Sequence, residues 1–164
     1  MTIQAMARQQ RLPTVSTRRE GSADGTPEEV LRVPVLAEGA DPGRVVPKPL
    51  AVRDRLIVDR RLVGDHPEDR LFAYDVCEGH MRFLRGLASP GDRLVFQRGG
   101  RVSDDRICAV RTPEGVVLAR VRILGQGLLL LPGKDEGEAV PVKVEPPRGL
   151  RGVIAGTHVL LIRR

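Results

Sequence analysis

The sequence predicts a mainly β domain of bent antiparallel sheets, partly closed into a barrel, behind a disordered N-terminal tail. Three observations carry this. Short apolar runs recur with turn residues about every 8–12 positions, the spacing of an all-β domain. Eighteen glycines and 13 prolines among 164 residues are too many for a helical bundle and suit short strands joined by turns. Phe72, Tyr74, Phe83 and Phe96 make up the whole aromatic content, so the core must be built from Val, Leu, Ile and Ala. The length fits one domain of ordinary size with a modest tail, and no internal repeat is evident.

Taken in order, residues 1–29 hold Gln, Arg, Ser, Thr and Gly without a sustained apolar period and end in "GSADGTPEE", the pattern of a flexible tail. They leave no room for a helix-turn-helix. The domain is expected over 30–164. "VLRVPVLAEGADPG" begins it as a short strand running into a Gly/Pro turn, and "DRLIVDRRLVG" (54–64) is strand-like or irregular. After the "HPEDR" loop, "LFAYDV" (71–76) places Phe72, Tyr74 and Val76 on one face, because side chains alternate along a strand. "MRFLRGL" (81–87) has the spacing of one helical turn, with Met81, Leu84 and Leu87 together. Beyond "SPGD" come "RLVFQ" (93–97), "RICAVR" (106–111), "VVLARVRIL" (116–124), "LLLL" (128–131), "VPVKV" (140–144) and "LRGVIAGTHVLLIRR" (150–164), each set off by turn residues.

The net charge of +6 raises nucleic-acid binding as a function, but the arginines are spread along the chain and often stand beside acids, as in Arg53-Asp54-Arg55 and Asp104-Asp105-Arg106. A scattered solvated surface accounts for such a pattern, and the scarcity of aromatics argues against a base-stacking platform. Any nucleic-acid contact is expected to be non-specific. No apolar run has the length of a membrane helix and the N-terminus lacks signal-peptide order, so a soluble cytoplasmic protein without membrane contact is expected. Cys77 and Cys108 read as small buried hydrophobes rather than a disulfide.

The ordered set of segments resembles the C-terminal domain of the LexA/UmuD-type autopeptidases, serine–lysine enzymes that cut their own chain in the bacterial DNA-damage response. The resemblance covers roughly residues 32–164. "VPVLAEGADPG" (33–43) stands where that family has an opening strand and self-cleavage loop, and "FAYDVCEGHM" (72–81) where it has a strand ending in Gly-Asp-Ser-Met. "GDRLVFQ" (91–97), the hairpin strand "GVVLARVRIL" (115–124), "LLLLPGKDE" (128–136) and "GVIAGTHVLLIRR" (152–164) follow in the family's order. Position by position, His80 occupies the place of the serine before Met81, and Ala119 that of the catalytic lysine; no lysine occurs between Lys48 and Lys134.

A serine attacks a peptide only when a base takes its proton, and in this arrangement the base is a lysine kept neutral by burial. In "VVLARVRIL" the residues Val117, Ala119, Val121 and Ile123 share the apolar face, and a methyl group there accepts no proton. An extended 71–77 segment does not require Cys77 and His80 to face each other, and no orienting acid is evident beside them. His80 is therefore expected to close a vestigial cleft with Cys77, Gly79, Met81 and Ala119. His66 and His158 are too scattered to complete a zinc site, so neither metal nor cofactor is expected. The cleavage loop departs as well. Its small-residue pair falls near Ala40-Asp41 or Asp41-Pro42, and a proline after the scissile bond makes a poor substrate.

The expected function is that of a non-catalytic regulatory, dimerisation or partner-binding module. By resemblance it would act in the DNA-damage response or phage-type transcriptional regulation. Relatives dimerise through their C-terminal strands, and "GVIAGTHVLLIRR" offers an apolar edge for symmetric pairing, with an internal core strand as the other reading. A DNA polymerase, a recombinase filament or a repressor are the partners the resemblance implies. Two alternatives stay open: an active self-cleaving peptidase that uses His80 or Ser89, and a basic β domain that binds nucleic acid through phosphates.

Overall fold

The computed structural model describes residues 30–43, 47–125, 127–144 and 149–164, so the tail expected over 1–29 lies outside it. Nine strands form one mixed sheet: β1 (Val30–Leu36), β2 (Val52–Asp59), β3 (Leu71–Asp75), β4 (Arg93–Gln97), β5 (Ile107–Thr112), β6 (Gly115–Leu124), β7 (Gly127–Leu131), β8 (Val140–Lys143) and β9 (Ile154–Ile162). Their spatial order is β2-β1-β3-β4-β9-β5-β6-β7-β8. Every neighbouring pair is antiparallel except β1 with β3, and the sheet does not close on itself. The outer strands are poor templates for further pairing: β2 carries Arg53, Asp54 and Arg55, and β8 carries Pro141 and Lys143. Among the described residues no helix is long and apolar enough to cross a membrane.

The expected mainly β character holds, but in place of antiparallel sheets partly closed into a barrel there is one open, mixed sheet. The reason is that β1 pairs in parallel with β3 and the outer strands β2 and β8 do not meet; the remaining departures are local. Arg60–Val63 forms a helical turn because the Asp59 carboxylate accepts from the Arg61 N–H at 2.9 Å. The 66–70 loop ends in a 3-10 turn over Glu68–Arg70. Met81–Leu84 is helical as its spacing requires, with Met81 and Leu84 buried and Leu87 half-buried. Residues Gly149–Val153 are helical, so the last strand begins only at Ile154.

That last strand runs through the middle of the sheet. From Ile154 to Thr157 it pairs with β5, and from Thr157 to Ile162 with β4. Only Thr157 has ladder partners on both sides: the residues before it pair on the β5 side alone, and His158–Ile162 carries a ladder partner on the β4 side only. Each of its two ladders contains one irregularity, between Val95 and Phe96 of β4 and between Ala109 and Val110 of β5. Such bulges bend a strand.

The bend lets the sheet fold over itself. Phe72, Tyr74 and Phe96 from β3 and β4 share one apolar cluster with Ala109 of β5 and Val116 and Leu118 of β6, although three strands separate β3 from β6 in the sheet. The Met81–Leu84 turn adds Met81 and Leu84 to the same cluster. Leu71, Ala73 and Val95 face the opposite way with Leu31, Val33, Val35 and Val58, so β3 is buried on both faces. A third cluster joins Cys108, Val110, Ala119, Val121, Leu128 and Leu130 with Phe83.

Three of the four aromatic side chains meet in the central cluster, with Phe72 stacked on Phe96 at 5.7 Å and Tyr74 edge-on to both. The Phe72 ring lies directly on the β9 backbone. A Cβ at position 156 would come within 2.5 Å of its Cζ, closer than real atoms approach, so only glycine fits there. Replacing Gly156 with Ala is expected to cost about 1–3 kcal/mol, the usual penalty of overpacking. Urea unfolding reads this out; an unchanged midpoint would mean that the ring moves aside freely.

Candidate functional site

The site is built where β3 ends. The Val76 N–H donates to the Asp92 carbonyl at 2.7 Å and the Gly91 N–H donates to the Val76 carbonyl at 2.9 Å, which fixes the exit of the strand. The next residues fold into a 3-10 turn, Glu78–His80, whose geometry is local. The His80 N–H donates to the Cys77 carbonyl at 3.0 Å, and the Cys77 N–H donates to His80 Nδ1 at 3.1 Å. The second bond identifies Nδ1 as the unprotonated ring nitrogen, with its lone pair turned toward Cys77. The Cys77 Sγ lies 3.4 Å from that same nitrogen. The sequence left the facing of these two side chains open; the turn brings them together.

A strap formed by residues 37–43 crosses this end of the fold. Its carbonyls are held one after another by donors fixed in the sheet and core. The Val116 N–H donates to Gly39 at 2.9 Å, the Tyr74 hydroxyl to Ala40, and the Arg98 guanidinium to Pro42 at 2.7 Å and Gly43 at 3.3 Å. Arg111 grips the Asp41 carboxylate with two N–H groups at 2.7 and 3.1 Å. Arg98 is itself buried, donates also to the Asp69 carbonyl and lies over the Phe72 ring at 5.1 Å. The strap thus places Glu38 at the turn. A Cβ on Gly79 would come within 2.4 Å of a Glu38 carboxylate oxygen, so the absence of a side chain at 79 makes room for that carboxylate.

Glu38, Cys77 and His80 each bring one donor atom into a group whose members all lie within 4.8 Å of one another. Burial raises the Cys77 thiol above its ordinary pKa, and the hydrogen bond and charge of Glu38 raise it further. Burial lowers His80, with the Glu38 charge opposing. A reactive thiolate–imidazolium pair needs shifts of the opposite sign. Both groups here stay neutral, and the group set against the thiol is a carboxylate. Tyr74 is no nucleophile either, since burial drives its hydroxyl far upward.

The other expected residues fall in different places. Met81 is buried in the central cluster, whereas Ala119 is buried in the third cluster beside Phe83, Cys108 and Val121, on the face with Val117 and Ile123 that its alternation predicted. The pKa of the Cys108 thiol is pushed up to about 12 by burial there. Ser89 is exposed in the turn before β4, with its N–H donated to the Asp92 carboxylate at 2.9 Å. Ala40, Asp41 and Pro42 lie in the strap, where Pro42 is buried. Glu38, Tyr74, Arg98 and Arg111 escaped the sequence reading, since nothing in their spacing ties them to positions 77–80.

Two outcomes are expected. Arg98→Met removes the donors to Pro42, Gly43 and Asp69 and should cost roughly 2–3 kcal/mol in urea unfolding. It should also open residues 37–43 to limited proteolysis; a strap that stays resistant would show that the remaining donors suffice. Stability should also fall with pH in two stages. Burial lowers both His80 and His158, so their contribution is complete above the unfolded value of about 6.5 and is lost as pH falls through the folded values. Burial alone would raise Asp41, but the Arg111 hydrogen bond and the Gly43 N–H outweigh it; Asp75 is lowered by its hydrogen bond from Arg93. These carboxylates stabilise above the unfolded pKa of about 4, and their contribution is lost as pH falls below it. An unfolding midpoint that stays flat from about pH 7 to about pH 5 would contradict the histidine stage.

No protein-family model matches the chain, and a search of curated proteins returns no significant match.

Proposed function

We propose that this domain is a non-catalytic relative of the LexA/UmuD-type autopeptidases and works as a regulatory, dimerisation or partner-binding module. The observation that carries this reading is the strap. It occupies the stretch that the resemblance assigns to the self-cleavage loop, and it is held by side chains that neither attack nor take protons. The thiol beside it faces the Glu38 carboxylate and is raised in pKa, the reverse of activation. Partners follow from the resemblance: a DNA polymerase, a recombinase filament or a repressor, in a cytoplasmic response to DNA damage or a phage-type switch. The His158–Ile162 stretch of β9, with a ladder on one side only, supplies a backbone edge for pairing with a second copy.

One observation favours a phosphate-binding reading instead. A cleft of about 750 Å³ beside the strap is lined by Lys48, Arg98, Arg111 and Arg151. Two of these four cations are already committed to the strap, which lowers the cleft's capacity for phosphate. Incubation at alkaline pH separates the readings on cleavage. The wild-type chain and Cys77→Ala should both stay intact by mass spectrometry, while light scattering returns twice the chain mass. Fragments that disappear in Cys77→Ala or His80→Ala would overturn the non-catalytic reading. A monomer that binds duplex DNA with steep salt dependence would replace it with the phosphate-binding one.

A further inference from the structure

We propose that Glu38, Cys77 and His80 form a binding site for one divalent, thiophilic cation of the zinc class, which fastens the 37–43 strap to the turn after β3. The donor set is a thiol, an imidazole and a carboxylate, the three side-chain types that hold zinc, with the sulfur and nitrogen disfavouring calcium and magnesium. The geometry fits. Ligands about 2.3 Å (sulfur) and about 2.0 Å (nitrogen) from a tetrahedral ion stand about 3.5 Å apart, and Cys77 Sγ to His80 Nδ1 is 3.4 Å. The carboxylate completes a triangle whose members all lie within 4.8 Å of one another.

Two further features serve the same arrangement. The nitrogen facing the sulfur carries a lone pair rather than a proton, since it accepts the Cys77 N–H. On coordination the metal takes the place of that hydrogen bond at Nδ1. Position 79 is glycine, which leaves room beside the turn for the Glu38 carboxylate as it is placed here. His80 is buried, Cys77 half-buried and Glu38 exposed, so the site opens on the Glu38 side, where water supplies a fourth ligand. When the ion binds, the Cys77 proton leaves to solvent, and thiolate and carboxylate together balance the two positive charges. The inference stands on these three side chains alone and does not depend on the proposed kinship.

The test uses the full chain, reduced and stripped with a chelator, then titrated with Co²⁺ and back-titrated with Zn²⁺. The expected result is a thiolate-to-cobalt charge-transfer band that saturates at one ion per chain, with visible bands of four-coordination, all displaced by Zn²⁺. Cys77→Ser should abolish the charge-transfer band. His80→Gln and Glu38→Gln should weaken Co²⁺ binding at least about tenfold, and His66→Gln should leave it unchanged. Circular dichroism confirms that each variant is folded, and exposed Glu38 supplies a variant whose effect is not a folding defect. No saturable band in the wild-type chain would overturn the proposal. So would a band that persists in Cys77→Ser, or Glu38→Gln binding Co²⁺ as the wild type does.

Discussion

The Phe72 ring resting on the bare backbone of Gly156 is the contact on which both the core and the strap depend. With no tryptophan and four aromatic residues in all, the chain has little bulk with which to fill a space between two halves of a sheet. It concentrates three of them at the seam where β9 joins β4 to β5. Glycine at 156 lets the ring approach the strand without an intervening side chain, so the folded-over sheet closes to packing distance. The strap then borrows the same aromatics. Tyr74 turns its hydroxyl to Ala40, and the Phe72 face supports the Arg98 guanidinium that reaches Pro42. Buried polar atoms on these side chains find their partners in the strap, so core and strap stabilise each other.

The electrostatics of the Cys77–His80 turn follow from where the strap puts Glu38. A thiol and an imidazole at hydrogen-bond distance ordinarily invite proton transfer toward thiolate and imidazolium, and a nearby cation or helix N-terminus would favour the thiolate. Here burial disfavours charge on both groups, and the carboxylate beside the sulfur repels a second negative charge. The same carboxylate that silences the thiol toward acyl transfer complements a positive ion. Reactivity at this turn is thus governed by a residue some forty positions earlier in the chain, brought there by a strap whose neighbouring residues are hydrogen-bonded to the sheet and core.

Much of the fold was legible because its signals are local. Alternation placed Phe72, Tyr74 and Val76 on one face and Val117, Ala119, Val121 and Ile123 on another, and each set shares a cluster in the structure. Spacing alone also gave the helical turn at Met81–Leu84. Position within the sheet was not legible. An apolar strand at an edge and one between two neighbours have the same composition, so "GVIAGTHVLLIRR" gave no sign that it bridges β4 and β5 in the middle of the sheet. The site divided along the same line. Cys77, Gly79 and His80 stand within four positions, and their proximity was recognised while their mutual orientation was not. Glu38, Arg98 and Arg111 reach the site through turns and register, which no spacing rule encodes.

The placement of β9 also constrains the order in which the molecule can be completed. β4 and β5 are separated by only a short connection, yet neither can gain its shared neighbour until residues 154–162 have left the ribosome. Until then the β1–β4 and β5–β8 segments each present an unpaired flank, and these flanks are the ones that must not find one another or a neighbouring chain. The nascent protein therefore passes through a stage in which its future centre is its most adhesive surface, and the arrival of one strand after the other eight converts two open margins into the interior of a single sheet.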